Sequence, residues 1–194
     1  MKTSCFYAPV LIFAIFFLNS SLLSGQETAL NEGDKVAPFK AVADDGSTWK
    51  SKKALKKGNL VVYFYPAAMT GGCTKQACAY RDDQADLTKL NAHVVGVSGD
   101  EVKNLELFKM AHNLNFTLLS DPDGEIAALF GVPFKAGRKS IKREIDGQEY
   151  DLFREVTTSR WTFVLDRKGK VVYKSTEVNP EEDSKAVMAV LEKL

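Results

Sequence analysis

The sequence predicts an α/β domain in which a central mixed sheet is flanked by helices. Two continuous apolar runs, Leu60–Tyr65 and Val94–Val97, are typical of strands buried on both faces. An amphipathic stretch over residues 101–113 separates the second run from a short strand predicted at 116–119. A hairpin is predicted over residues 161–173. Parallel strands crossed by helices, followed by an antiparallel hairpin, make a thioredoxin-like arrangement.

Shorter signals predict the remaining elements. Residues 39–49, with a turn at Asp45-Gly46, predict a small hairpin, and residues 73–90 have helical character. Asp121-Pro-Asp-Gly124 is a turn that leads into a helix ending at Phe130, and the last helix is predicted over 180–194.

The segment 134–158 is the least regular part of the chain. It carries many charges, and Asp146-Gly147 marks a turn within it. We predict a solvated surface hairpin or loop.

The N-terminus has the pattern of a secretory signal peptide. Lys2 precedes the apolar run Phe6–Leu18, and the small residues Ser24 and Gly25 follow. This favours cleavage near Gly25–Gln26. An uncleaved membrane anchor is the less favoured alternative, because a spanning helix needs roughly 20 apolar residues.

These boundaries predict a signal peptide over 1–25, an N-terminal arm over 26–33 and one domain over 34–194. We therefore expect an exported protein, periplasmic or extracellular, with no stable membrane association after signal cleavage. With 26 Lys plus Arg against 25 Asp plus Glu, the chain lacks the basic excess of a nucleic-acid binder. His93 and His112 stand outside any ligand-spaced motif, so no metal site is predicted.

The segment that follows the first buried strand carries the chemistry. Pro66 ends that strand, and Gly71 and Gly72 permit a tight backbone path and the close approach of a ligand. Cys73 then falls in the first turn of the next helix. A helix N-terminus favours an anion, and the thiolate is the reactive form of cysteine. The position therefore indicates Cys73 as a nucleophile.

Cys78 follows Cys73 by five residues. On one intact helix the two would be about 7.5 Å apart along the axis and point about 140° apart. A disulfide rarely tolerates Cα atoms more than about 7 Å apart, so the pair could bond only if the first helical turns unwind. A plain stabilising disulfide is the alternative, and a CxxC oxidoreductase is disfavoured by the spacing.

The pattern Pro66-x-x-x-Thr70-x-x-Cys73 resembles the active-site motif of peroxiredoxins. Cys78 resembles the resolving cysteine of the peroxiredoxin Q or bacterioferritin comigratory protein group, and Arg160 resembles the arginine of that active site. The resemblance covers nearly all of residues 34–194. It continues in Tyr80-Arg-Asp82, Gly96–Asp100, Leu118–Gly124, Phe130-Gly-Val132 and Arg160-Trp-Thr-Phe163.

The resemblance implies a thioredoxin-like fold and a thiol peroxidase that reduces hydrogen peroxide and alkyl hydroperoxides. Cys73 would become a sulfenic acid and then form a disulfide with Cys78. Thr70, Arg160 and the backbone near Gly72 would position the peroxide in a pocket that also includes Pro66 and Cys73. It further implies that no metal, haem or flavin is required, that a thioredoxin-like or other dithiol is the reductant, and that the protein is a monomer or weak dimer.

Three features depart from that group, and two other functions stay open. Gly71 stands where proline is frequent, Gln76 stands where glutamate is frequent, and residues 134–158 form a longer segment. We expect a looser loop and a changed access to the site. The first alternative is an exported thioredoxin-fold thiol-disulfide oxidoreductase that acts on protein disulfides. The second is a non-enzymatic protein with a static disulfide.

Overall fold

A computed structural model describes Met1 and residues 29–194, so the predicted signal peptide and its cleavage point lie outside the described residues. The centre of the described chain is a seven-stranded sheet with the order β2-β1-β5-β4-β3-β8-β9. The strands of this sheet are β1 Lys40–Ala43, β2 Thr48–Lys50, β3 Asn59–Phe64, β4 Ala92–Ser98, β5 Thr117–Ser120, β8 Trp161–Leu165 and β9 Val171–Ser175.

The sheet is mixed, as predicted. Strands β3, β4 and β5 are parallel, whereas β1, β2, β8 and β9 add antiparallel pairs at both sides. Residues Leu60–Tyr65 are completely buried, because helices cover both faces of the centre. The predicted thioredoxin-like α/β fold is confirmed.

Six helices accompany the strands in the described part of the chain. They are α1 Ser51–Leu55, α2 Gly71–Asp82, α3 Gln84–Lys89, α4 Val102–His112, α5 Glu125–Phe130 and α6 Asp183–Leu191. The helical character predicted for residues 73–90 is confirmed, but it is divided between α2 and α3, since the backbone leaves the helical conformation at Asp83. The short helix α1 has no counterpart among the sequence predictions, and α6 begins three residues after the predicted start.

Residues 134–158 form a separate two-stranded hairpin, β6 Phe134–Ile145 and β7 Gln148–Thr158. Asp146 and Gly147 both have positive φ, as a two-residue hairpin turn requires. Most of β6 is exposed, as predicted for a surface hairpin. The prediction is incomplete, however, because Ile145 and Leu152 are buried against Leu107 of α4. The apolar side chains of the turn region explain this docking.

Two further features concern the periphery. Gly33 and Val36 donate backbone hydrogen bonds to Val171 and Gly169, so the chain before β1 runs along the β8–β9 turn. No helix among residues 29–194 is long and apolar enough to span a membrane.

Candidate active site

The loop between β3 and α2 places the predicted motif at the carboxyl end of β3, an inner strand of the sheet. Ala67 and Ala68 are buried, and the Ala68 N–H donates to the Asp100 carboxylate at 2.8 Å. Met69 has φ +60, in the left-handed region that a side chain of its size rarely adopts. Its carbonyl accepts a 2.8 Å hydrogen bond from Arg143 Nε of the β6–β7 hairpin. The loop is therefore held from the sheet side and from the hairpin side.

Thr70 and the two glycines begin helix α2. Thr70 is the N-cap residue, and its hydroxyl donates to the Ala67 carbonyl at 2.9 Å instead of capping the helix. Gly71 faces open space, and a Cβ placed there would meet no atom within 4 Å. At Gly72 a Cβ would lie 3.3 Å from Arg160 Nη2. Gly72 therefore leaves the room that the Arg160 guanidinium occupies.

Cys73 lies in the first turn of α2, where free backbone N–H groups favour an anion. Its side chain is buried, with 2% of its surface exposed, and Arg160 Nη2 donates to Cys73 Sγ at 3.4 Å. A guanidinium keeps its charge at every physiological pH, so it stabilises a thiolate here. Burial, followed by the neighbouring Cys73, raises the pKa of the Tyr63 phenol well above its ordinary value.

Cys78 lies on the same uninterrupted helix and is partly exposed. Both Cys73 and Cys78 are free thiols. The structure is thus a folded dithiol state. Because Cys78 lies five positions after Cys73 on the helix, their sulfur atoms cannot bond while α2 keeps this geometry.

Gln76 connects Arg160 to a buried carboxylate on α6. Arg160 Nη1 donates to Gln76 Oε1 at 2.5 Å, and Gln76 Nε2 donates to Asp183 Oδ2 at 2.7 Å. The same oxygen of Asp183 accepts hydrogen bonds from Tyr80 and Thr162, each at 2.7 Å. Burial raises the pKa of Asp183 above its ordinary value, although the three donors act in the opposite direction.

The structure therefore brings Cys73, Arg160 and Gly72 into direct proximity, with Thr70 at the start of the same helix. Pro66 lies at the end of β3, partly exposed, and shapes the entry to this loop. Cys78 stands apart from this group, about one and a half helical turns further along α2.

Sequence reasoning missed Asp183 and Arg143. Asp183 carries no motif, and only its place in the first turn of an amphipathic helix facing α2 could have pointed to it. Arg143 lies among many charged residues of the hairpin, and nothing in its spacing distinguishes it from them. Tyr80 and Thr162 lie within segments that resemble peroxiredoxins, but the sequence predicts no role for either side chain.

Comparison with known proteins gives this site its context. Residues 33–174 match the AhpC/TSA family. Peroxiredoxin Q, chloroplastic, of Populus jackii is 37% identical over 167 residues, which are 85% of this chain and 70% of that protein. The crystal structure of the peroxidoxin BcpB from Mycobacterium tuberculosis superposes with a TM-score of 0.71 at 33% identity, over 85% of this chain and 98% of that one. A structure of Xanthomonas campestris peroxiredoxin Q superposes with a TM-score of 0.64 at 26% identity. The superposition covers 80% of this chain and 90% of that one.

A thioredoxin-like fold with an arginine-bound cysteine at a helix N-terminus defines a thiol peroxidase of the peroxiredoxin class. The chain belongs to the AhpC/TSA family and, within it, to the peroxiredoxin Q or bacterioferritin comigratory protein type.

Proposed function

We propose that this protein reduces hydrogen peroxide and alkyl hydroperoxides with Cys73 as the attacking thiolate and Cys78 as the resolving thiol. The observation that carries the proposal is the buried Cys73 sulfur in the first turn of α2, with Arg160 Nη2 at 3.4 Å. Both the helix terminus and the guanidinium stabilise negative charge at that sulfur.

In the first step the Cys73 thiolate attacks the terminal oxygen of the hydroperoxide. The S–O bond forms, the O–O bond breaks, and the alkoxide or hydroxide takes up a proton and leaves as alcohol or water. Arg160 and the free N–H groups of the first turn of α2 stabilise the charge that develops on the oxygens. The Thr70 hydroxyl donates its hydrogen to the Ala67 carbonyl, and its oxygen can accept a hydrogen bond from the peroxide.

In the second step α2 unwinds over its first turns and Cys78 reaches Cys73. The Cys78 thiolate attacks the Cys73 sulfur, the S–S bond forms, and the S–O bond breaks. Hydroxide leaves and is protonated to water. A thioredoxin-like or other external dithiol then reduces the disulfide and is itself oxidised, which restores both thiols.

Substitution of the two cysteines tests this cycle. Cys73→Ser should abolish peroxide consumption, whereas Cys78→Ser should allow one oxidation for each molecule and then stop dithiol-dependent turnover. Peroxide consumption that persists in Cys73→Ser contradicts the assignment of the nucleophile. A reduced protein that exchanges with protein disulfides faster than it consumes peroxide would support the oxidoreductase alternative instead.

We also propose that the mature protein is exported to the periplasm or the extracellular space as a monomer or weak dimer. The proposal of export rests on the sequence pattern of residues 1–25. N-terminal sequencing of protein recovered from the exported fraction should begin near Gln26. Retention of the intact N-terminus in the cytosolic fraction contradicts export.

A further inference from the structure

The hydrogen bonds of Gln76 fix the orientation of its amide. A guanidinium has only donors, so only the Gln76 carbonyl oxygen can face Arg160. The Asp183 oxygen that Gln76 contacts already accepts hydrogen bonds from two hydroxyl groups, so only the amide N–H can face it. The acceptor for Arg160 therefore depends on the carboxylate behind Gln76.

Asp183 is well placed to fix this orientation of the Gln76 amide. It is buried, it lies in the first turn of α6, and the charged group of opposite sign that faces it is Arg160, on the far side of Gln76. Buried polar groups are costly unless hydrogen-bonded, so the network of Asp183 and its three donors has little freedom to rearrange.

We propose that Asp183 is a positioning residue, which holds Gln76 so that Arg160 is directed onto the sulfur of Cys73. The proposal rests on the proposed function for its kinetic consequence. Gln76 also lies between Cys73 and Cys78 on α2, within the turns whose unwinding the proposed disulfide requires.

The sign of the effect separates positioning from simple electrostatics. Removal of a negative charge near Cys73 would, by charge alone, favour the thiolate and speed its reaction with peroxide. Loss of positioning has the opposite effect, because Arg160 loses its acceptor and leaves the sulfur. The phenols of Tyr63 and Tyr65 also face Cys73, and burial, the main cause of their raised pKa values, remains after a substitution at Asp183.

The test is made in a Cys78→Ser background, so that only the first oxidation is observed. Asp183→Ala should lower the second-order rate of Cys73 oxidation by hydrogen peroxide about tenfold or more, as expected for a lost hydrogen bond to a charged group. If Asp183→Ala is not recovered as folded protein, Asp183→Asn serves. Its neutral oxygen holds the Gln76 amide more weakly and should lower the rate about threefold or more.

Two neighbours provide matched controls. Ser184→Ala removes the 2.7 Å hydrogen bond from α6 to Asp83, next to the tested residue. Glu181→Gln removes the exposed ion pair with Lys75 of α2. Both loosen contacts of the α6 region without reaching Gln76, and both should keep the oxidation rate within about twofold of the parent.

A compensating variant distinguishes positioning from general stability. Gln76→Glu combined with Asp183→Ala places a carboxylate directly against Arg160 and removes the need for Asp183. This double variant should recover most of the lost rate. A purely structural role of Asp183 predicts no recovery.

A crystal structure of reduced Asp183→Ala gives a result that does not depend on peroxide. The distance from Arg160 Nη2 to Cys73 Sγ should exceed the 3.4 Å of the parent. An unchanged distance, an oxidation rate within about twofold of the parent, or equal losses in Ser184→Ala would overturn the proposal. If the Cys78→Ser parent itself is not oxidised by peroxide, the proposed function fails, and the distance still decides the role of Asp183.

Discussion

At the scale of single residues, the contact between Arg160 and Cys73 depends on a glycine. A Cβ at position 72 would lie 3.3 Å from Arg160 Nη2 and 3.7 Å from Pro180 Cγ. Neither Gly72 nor Gly71 has a positive φ, so both positions accept alanine without backbone strain. The two adjacent glycines therefore differ mainly in the surroundings of an added Cβ, which would contact Arg160 at position 72 and no atom at position 71.

Gly72→Ala should slow Cys73 oxidation about threefold to tenfold, because the added methyl group displaces the Arg160 guanidinium. A displacement of about 1 Å at a reacting centre lowers a rate on the order of 100-fold, and the guanidinium has to move by less than that. Gly71→Ala is the matched control and should keep the parent rate, since nothing lies near its added methyl group. Stopped-flow oxidation with hydrogen peroxide measures both. Equal rates in the two variants would contradict the tight packing of Arg160 on Gly72.

At the scale of elements, the proposed cycle requires helix α2 to adopt two different geometries. In the folded state it presents Cys73 at its N-terminus, and in the disulfide that we propose it would have to bring Cys78 to the same sulfur. Only local unwinding satisfies both requirements.

Oxidation of the mature protein by one equivalent of peroxide should therefore lower its helical circular dichroism, and a dithiol should restore it. Cys78→Ser, which cannot form the intramolecular disulfide, should keep its helical signal after the same treatment. A disulfide that forms in the parent with no loss of helical signal would contradict the unwinding step.

The β6–β7 hairpin contributes to the site through Arg143. The Met69 backbone is held at φ +60, which costs of the order of 1–3 kcal/mol, and the hydrogen bond from Arg143 to the Met69 carbonyl helps to maintain it. Arg143→Met should raise the amide hydrogen-exchange rate of the loop residues 67–72 about fivefold or more.

Arg138→Met is the control for that prediction. Arg138 lies on the same hairpin but pairs with the exposed Glu101 and Glu155. It should leave exchange in the loop unchanged. Equal exchange in the parent and in Arg143→Met would show that the loop does not depend on the hairpin.

At the scale of the whole molecule, the buried Asp100 couples stability to pH. Burial raises the pKa of Asp100 above its ordinary value of 3.8, against the hydrogen bonds from Ala68 and Ser98. The folded state then binds a proton more tightly than the unfolded state. This contribution to stability is present below pH 3.8 and is lost as the pH rises through the higher folded value.

Asp100→Asn removes this titration while keeping an acceptor oxygen for Ala68 N–H. The free energy of unfolding of the parent, relative to that of Asp100→Asn, should therefore fall as the pH rises above about 4. Urea unfolding at a series of pH values measures the difference. A relative stability that rises with pH over this range would contradict a raised pKa of the buried Asp100.

The sequence predicts the central fold well because its signals are local. The apolar runs at 60–65 and 94–97 predict buried strands, and the motif around Cys73 predicts both a helix start and the nucleophile that we propose. Ile145 docks on Leu107 through a tertiary contact, and Asp83, where the helix is interrupted, accepts a hydrogen bond from Ser184, 101 residues away; no local pattern encodes either contact. Asp183 escapes prediction for the same reason, because its hydrogen-bond donors are 21 to 107 residues away in sequence.

The most direct test of the proposed cycle is the fate of the two sulfur atoms after one peroxide equivalent. Intact-mass measurement and peptide mapping of the mature parent should show the loss of two hydrogens and a bond between Cys73 and Cys78. The Cys78→Ser protein should gain one oxygen, located on Cys73. An oxygen found on Cys78 in a Cys73→Ser protein at the parent's rate, or a parent whose mass does not change, would contradict the assignment of Cys73 as the peroxide-reactive thiol.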